Sequence, residues 1–184
     1  MIHGGVEPDP RAKLCSSKRV YEGRLLKVDL DEIRLPEAGE ATLETIRHPG
    51  AAAALPVLRD GSVLLIRQYR HAMGGFILEV PAGKLDAGEQ PKDCVMREVE
   101  EEVGYRPGRI VPLGAIFTTP GFTDEVIWLY EAHELEATRT AHEQDEVIEV
   151  ICVPFKEALD AVREGRIRDA KSVATILHAA LRRR

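Results

Sequence analysis

The chain is short of cysteine, of positive charge and of long apolar runs, and each shortage removes a class of function. Its three cysteines are Cys15, Cys94 and Cys152. They are odd in number and far apart, so they form neither a zinc-ligand pattern nor a disulfide framework, which suits a reducing cytosol. Cys94 reads as core filler. Lys and Arg number 25 against 31 Asp and Glu, a net charge of −6, and that balance argues against a nucleic-acid or anionic-membrane surface. The basic end, Arg182-Arg183-Arg184, reads as solubilising. No apolar run approaches ~20 residues and the N-terminus has no signal-peptide h-region, so a cytoplasmic protein with no membrane partner is expected. Internal repeats and low-complexity segments are also missing. What remains is 184 residues, 44% hydrophobic and 30% charged, a globular mixture of one-domain size with at most a small extension.

Taken in order, residues 1–14 hold Gly4-Gly5 and Pro8-Asp9-Pro10 and read as a mobile tail. Val20, Leu26, Val28, Leu30, Ile33 and Leu35 alternate, which predicts one or two strands broken at Gly23. Pro36 to Gly39 is a turn, and Ala41–Arg47 is the returning strand. This front section, residues 1–48, has little core of its own and needs something to pack on. Ala51–Leu58 and Ser62–Tyr69 read as a hairpin about Asp60-Gly61, its first strand apolar throughout. Phe76–Val80 is a further short strand. Strands are also predicted over Arg109–Thr118, Val126–Ala132 and Glu146–Val153, with Thr119–Glu125 and Ala137–Glu143 as loops. Helices are predicted from Phe155 to Glu164 and from an Asp169 or Ser172 cap to about Leu181. The fold class is therefore α+β, an α/β/α layering about a mixed sheet spanning residues 49–184, with an N-terminal antiparallel β extension.

The chemistry concentrates between Gly83 and Tyr105. Pro91 suits the first turn of a helix and Gly104 the residue just past its end, which leaves about thirteen helical residues. At roughly 100° per residue, Glu98, Glu101 and Glu102 share one face, beside an apolar stripe of Val95, Val99 and Val103. Clustered carboxylates repel by a few tenths of a kcal/mol per neighbouring pair, roughly, and a hard cation removes that cost. All-oxygen ligands favour Mg²⁺ or Mn²⁺ over zinc. Gly83, Gly88 and Pro81 allow a tight loop before the helix, where backbone groups approach phosphate.

Gly83, Glu89, Arg97-Glu98, Glu101-Glu102 and Gly104, with Val99 and Tyr105, form the pattern G-x5-E-x7-R-E-U-x-E-E-x-G-U, U being bulky and apolar. At average residue frequencies its seven fixed residues coincide at one start point roughly a few times in a billion, so a merely solvated acidic face is set aside. The pattern resembles the Nudix box of the Nudix hydrolases, whose fold is such a sandwich. The flanking Leu78-Glu79-Val80-Pro81-Ala82-Gly83 and Ile66-Arg67-Gln68-Tyr69-Arg70 are similar to the ADP-ribose pyrophosphatase subfamily. So is Thr119-Pro120-Gly121-Phe122-Thr123-Asp124-Glu125, with Pro120 about fifteen residues after the box.

That resemblance implies Glu98 and Glu102 as chief metal ligands, Glu101 assisting, and the Ala82 carbonyl completing the shell. Glu89 would hold a further metal or the loop, and Arg97 would orient the glutamates. Arg70 would hold the diphosphate or the terminal ribose phosphate, with Gly121 and Glu125 at the ribose end. Arg24, Leu25 and Glu44 match positions used at the adenine end. The general base stays open among Glu143, Asp145 and Glu146, or Glu98 or Glu102 themselves. The implied activity is Mg²⁺- or Mn²⁺-dependent hydrolysis of ADP-ribose to AMP and ribose 5-phosphate, by a homodimer that exchanges N-terminal strands. Another sugar nucleotide, of the GDP-mannose or ADP-glucose type, is the nearest alternative. A non-hydrolytic nucleotide sensor of the same fold is disfavoured, because every box glutamate is present and no further ~60 residues form a second domain.

Overall fold

Strand-forming runs dominate the chain. The computed structural model, which describes residues 6–142 and 146–183, arranges them as ten strands and three α-helices among those residues. They divide into two units: residues up to His48 with Thr119–Asp124, and Pro49–Thr118 with Glu125–Arg184.

The first unit is an antiparallel meander of β1 (Lys13–Glu22), β2 (Lys27–Leu35) and β3 (Gly39–Arg47). The chain reverses after Gly23, whose N–H donates to the Leu26 carbonyl at 2.8 Å. β1 begins earlier than the alternation predicts, because its pairing with β2 continues out to Lys13 opposite Arg34; the backbone ladder extends the strand where apolar alternation has ended. Every residue of β1 is exposed. Among this unit's described residues the buried ones are Asp29 and Asp31. Arg47 Nε donates to Asp29 at 3.1 Å, Ser17 Oγ donates to Asp31 at 2.6 Å, and Arg19 pairs with Asp29. Thr119–Asp124 is fastened to β3 by the Ile46 N–H on the Phe122 carbonyl (2.7 Å) and the His48 N–H on Asp124 Oδ1 (2.7 Å). Charge pairs and backbone bonds hold this sheet; no apolar side chain among its described residues is buried.

The second unit runs β4 (Ala51–Pro56), β5 (Ser62–Arg70), a 3₁₀ turn (His71–Met73), β6 (Gly75–Glu79), β7 (Ala82–Lys84), α1 (Pro91–Glu98), β8 (Tyr105–Phe117), β9 (Val126–Ala137), β10 (Ile148–Pro154), α2 (Phe155–Arg163) and α3 (Ala170–Arg182). One sheet has the order β7-β4-β9-β8, with β4 and β9 parallel; the other is β10-β5-β6, antiparallel. The turn predicted at Asp60-Gly61 is present: Leu58 N–H donates to the Ser62 carbonyl at 2.8 Å and Gly61 has φ +85°. The hairpin ladder is not. β4 pairs with β7 and β9, β5 pairs with β6 and β10, and a single bridge joins Val57 to Val63. Pro56 has no N–H to give a ladder just beyond that turn. Ala51–Leu55, apolar without alternation, belongs to a strand buried on both faces, which a central position between β7 and β9 supplies.

The two faces of β4 and β5 sort the helices. Ala53, Leu55, Val63 and Leu65 pack with Ala158, Ala161, Ile176 and Ala179 of α2 and α3. On the opposite face Ala52 and Ala54 meet Cys94, Val95 and Val99, while Leu64 and Ile66 meet Val103. Alanine on β4 lets helices approach closely from either side. The result is the α/β/α sandwich about mixed sheets that the pattern predicts. No helix among the described residues is long and apolar enough to cross a membrane.

Candidate active site

Pro91 opens α1 at its first turn, and Gly104, left-handed at φ +75°, closes the helical stretch. The winding between them is not uniform. After the eight α-helical residues of α1, the five residues Val99–Val103 widen into a π turn, a local rewinding common at functional sites. Its terminal carbonyls are not left bare: the Ala141 N–H donates to Glu101 O at 2.8 Å, and the His142 ring donates from Nε2 to Glu102 O at 3.0 Å. Val99 and Val103 stay in the core, which turns Glu98 and Glu102 toward Gly83 and Ala82 of β7.

Glu102 is 2% exposed. Its Oε2 accepts the Ala82 N–H at 2.9 Å, yet burial, reinforced by the neighbouring Glu98 charge, pushes its carboxyl up to about 8. Glu98 is also raised, by burial first, against the pull of Arg97. Its carboxylate lies on the backbone of Gly83 so closely that a Cβ there would sit 1.8 Å from Oε1. Glycine is the one residue that lets β7 and this carboxylate meet. Glu101 is less enclosed, its side chain 41% exposed.

Arg97 ties the cluster together. Its Nε and Nη2 fork onto Glu89 at 3.0 Å each, Nη1 reaches Glu98 at 2.7 Å and Glu101 at 3.0 Å, and Nη2 also donates to the Lys84 carbonyl at 3.2 Å. The guanidinium holds the Glu89 carboxyl down at about 2, and Glu89 in turn accepts the Asp86 N–H at 2.9 Å. Glu89 thus sits on the loop. Cys94, pushed up to about 12 mainly by burial, points its thiol at the Gly83 and Lys84 carbonyls, 3.5 and 3.4 Å away. Glu100 faces elsewhere, paired with Arg106 at 2.8 Å.

A second charged group adjoins the carboxylates. Glu79, 2% exposed at the end of β6, accepts from Arg70 Nε at 2.8 Å and from Lys171 Nζ at 2.7 Å. Lys171 also reaches Asp169 at 3.0 Å, and its charge acts on Glu102 in the sense that lowers that carboxyl. Asp169 caps α3 by accepting the Ser172 N–H at 2.9 Å, and Ser172 Oγ accepts the Val80 N–H at 2.8 Å. The start of α3 is thereby pinned to the strand end that leads into Pro81-Ala82-Gly83. Glu146, half-buried just before β10, adds its charge to the forces that raise Glu98 and Glu102. The pairing of Glu79 with Lys171 has no local signal; 92 residues separate the two, and only the fold brings them together.

Of the residues implied by resemblance, Glu89, Glu98, Glu101, Glu102, Ala82, Arg70 and Glu146 all lie in the second unit around this cluster, Arg70 committed to Glu79. Glu125 stands at the foot of its loop, accepting from Thr118 Oγ1 at 2.8 Å. Arg24 and Leu25, exposed in the β1–β2 turn, Glu44, exposed on β3, and Gly121 belong to the first unit. Glu143 and Asp145 lie outside the described residues.

The donor set suits a hard divalent ion. Glu102 is buried and Glu98 half-buried, both have raised proton affinity, and with a third acidic group beside them they gain from a cation that keeps them ionised. No three His, Cys, Asp or Glu side chains among the described residues close into an ion cage. Arg70 and Lys171 bring positive charge to the same region, which suits a phosphate-bearing ligand.

The chain is similar to several known proteins. The NUDIX domain family profile matches residues 47–176. The chain is 35% identical over 171 residues to the methanol dehydrogenase activator of Bacillus methanolicus, covering 92% of each. It is 33% identical over 172 residues to the ADP-ribose pyrophosphatase of Bacillus subtilis, covering 92% of this chain and 93% of that one. A GDP-mannose pyrophosphatase of Cronobacter sakazakii is 40% identical over a shorter 157 residues, 76% of this chain and 81% of that one. A solved structure of an ADP compounds hydrolase superposes with a TM-score of 0.81 at 19% identity, covering 96% of each chain.

Proposed function

The chain belongs to the NUDIX family, and from that premise we propose that this Nudix hydrolase cleaves the diphosphate of ADP-ribose, with Mg²⁺, to AMP and ribose 5-phosphate. The observation that carries the reading is the pair of buried Glu102 and half-buried Glu98 set against Ala82 and Gly83 of β7. It costs stability in the metal-free protein and makes sense as a cation site. The full-length similarity to an ADP-ribose pyrophosphatase supports the substrate.

In this reading Glu98, Glu102 and the Ala82 carbonyl would hold the metal, with Glu101 at its margin. A divalent ion there would neutralise diphosphate oxygens and lower the pKa of water. Arg97 keeps Glu98 and Glu101 in place and locks Glu89 onto the loop, so the carboxylates are set before substrate arrives. Arg70 and Lys171, each on Glu79, present fixed positive charge to phosphate oxygens. Water attacks phosphorus in line, the bridging P–O bond breaks, and the proton passes to a carboxylate. Glu146 is the described candidate for that base beside Glu98 and Glu102, with Glu143 and Asp145 the others. Positioning and charge supply most of the acceleration expected for such a transfer.

The protein acts as a cytoplasmic homodimer in this account. The first unit is a three-stranded sheet whose described residues bury no apolar side chain, and such a sheet gains from cover. Arg24, Leu25 and Glu44 serve the adenine end, Gly121 and Glu125 the ribose end. GDP-mannose or ADP-glucose is the second reading, favoured by the 40% identity to a GDP-mannose pyrophosphatase. A panel of these sugar nucleotides with Mg²⁺ and with Mn²⁺, run in H₂¹⁸O, separates the readings. ADP-ribose turned over faster than the others, with label in one of the two phosphate products, supports the first. GDP-mannose or ADP-glucose turned over as fast supports the second.

A further inference from the structure

The face of β5 turned toward the π turn carries one polar group that the chemistry above does not use. Side chains alternate along a strand, so Ile66, Gln68 and Arg70 share a face. Ile66 packs with Val103 of the π turn, and Arg70 holds Glu79. Gln68 stands between them, 4% exposed, opposite Ile77 on β6 and Ile148 on β10. The Tyr69 N–H bonds the Val147 carbonyl at 3.2 Å and continues that register, bringing Glu146 alongside Arg70. The Oε1 of Gln68 is fully buried and accepts a hydrogen bond from no described group.

A buried amide oxygen without a donor is unfavourable and uncommon. Its cross-strand neighbours, Ile77 and Ile148, have no side-chain donor, and the Arg70 Nε is spent on Glu79. The guanidinium of Arg70, two residues away, disfavours a cation at this point. A neutral O–H group beside this oxygen meets none of these objections. We propose that Gln68 is a binding residue whose Oε1 accepts a hydrogen bond from such a group, a water molecule held for the reaction or a sugar hydroxyl of the substrate. The proposal rests on the hydrolase reading of the cleft.

Gln68→Met keeps length and volume and removes the acceptor; Gln68→Glu restores an acceptor oxygen. Kinetics are measured on whichever sugar nucleotide the wild type cleaves fastest, so failure on ADP-ribose counts against that substrate and not against Gln68. Q68M is expected to lose 10- to 100-fold in kcat with KM within threefold if the donor is water. A tenfold rise in KM that vanishes with a deoxyribose analogue identifies a sugar hydroxyl. Q68E recovers part of the loss, and the metal-free melting midpoint of Q68M is equal to or above that of the wild type, because no internal hydrogen bond disappears. Q68M with kcat and KM both within twofold overturns the proposal. So does a loss of activity accompanied by a lowered melting midpoint, which would reveal an internal partner instead.

Discussion

Replacing Glu102 by glutamine should abolish turnover and, without metal, make the protein more stable in a pH-dependent way. Glutamine keeps the shape and the acceptor for the Ala82 N–H but has no proton to lose. The Glu102 carboxyl is pushed from 4.5 to about 8 by burial and by Glu98, so the native state binds its proton more tightly than the unfolded chain does. Wild-type stability therefore falls as pH rises from near 4.5 to about 8 and is level above that. The slope is about 1.4 kcal/mol per pH unit, with a ceiling of roughly 5 kcal/mol. Relaxation of the site and entry of water bring the expected gap down to about 2–3 kcal/mol. Urea unfolding in EDTA at equal protein concentration, followed through the single tryptophan, Trp128, reads it directly. The E102Q advantage should be near zero at pH 4.5, present at pH 7 and largest at pH 8.5. A gap that does not change with pH, or an E102Q protein less stable than wild type at pH 8.5, would refute the claim that this carboxylate is held at a cost for the sake of a cation.

Three further substitutions probe the supports. Gly83→Ala drives a Cβ to 1.8 Å from Glu98 Oε1; kcat/KM should fall about 100-fold while urea stability moves by less than about 1.5 kcal/mol. Arg97→Lys cannot reproduce the fork onto Glu89, whose carboxyl the guanidinium holds at about 2. A depressed carboxyl contributes stability that is present above 4.5 and lost as pH falls toward 2, worth at most about 3 kcal/mol and nearer 1–2 after solvent screening. R97K should accordingly unfold earlier at neutral pH and show a shallower acid limb in circular dichroism. Lys171→Met leaves Glu79 with Arg70 alone and should cost about 3 kcal/mol in urea with an unchanged m-value, together with a raised KM in steady-state kinetics.

The helix that bears the carboxylates was legible because its signals are local: a proline that starts it, a glycine that ends it, and valines that keep one face inward. The π turn was not, since it depends on where the 138–142 segment supplies N–H groups to Glu101 and Glu102, a contact some forty residues away. The alternating front strands could be read from their pattern, although β1 outruns its apolar alternation because pairing carries it on to Lys13. The separation of β4 from β5 into different sheets could not be read, because a good turn signal says nothing about which neighbour each strand prefers afterwards. The box glutamates stood out by spacing. Lys171 did not, and Glu79 and Gln68 stood within the flanking runs without a role of their own, because the meaning of all three comes from burial and partners that the fold supplies.

The most direct test is product formation as Mg²⁺ is added stepwise to metal-stripped protein with ADP-ribose. The account predicts no product at the start, then AMP and ribose 5-phosphate in equal amounts rising to saturation with the ion, and no such rise for Glu98→Gln. Cleavage that proceeds equally well in EDTA, or an intact nucleotide at every Mg²⁺ and Mn²⁺ concentration, would contradict it.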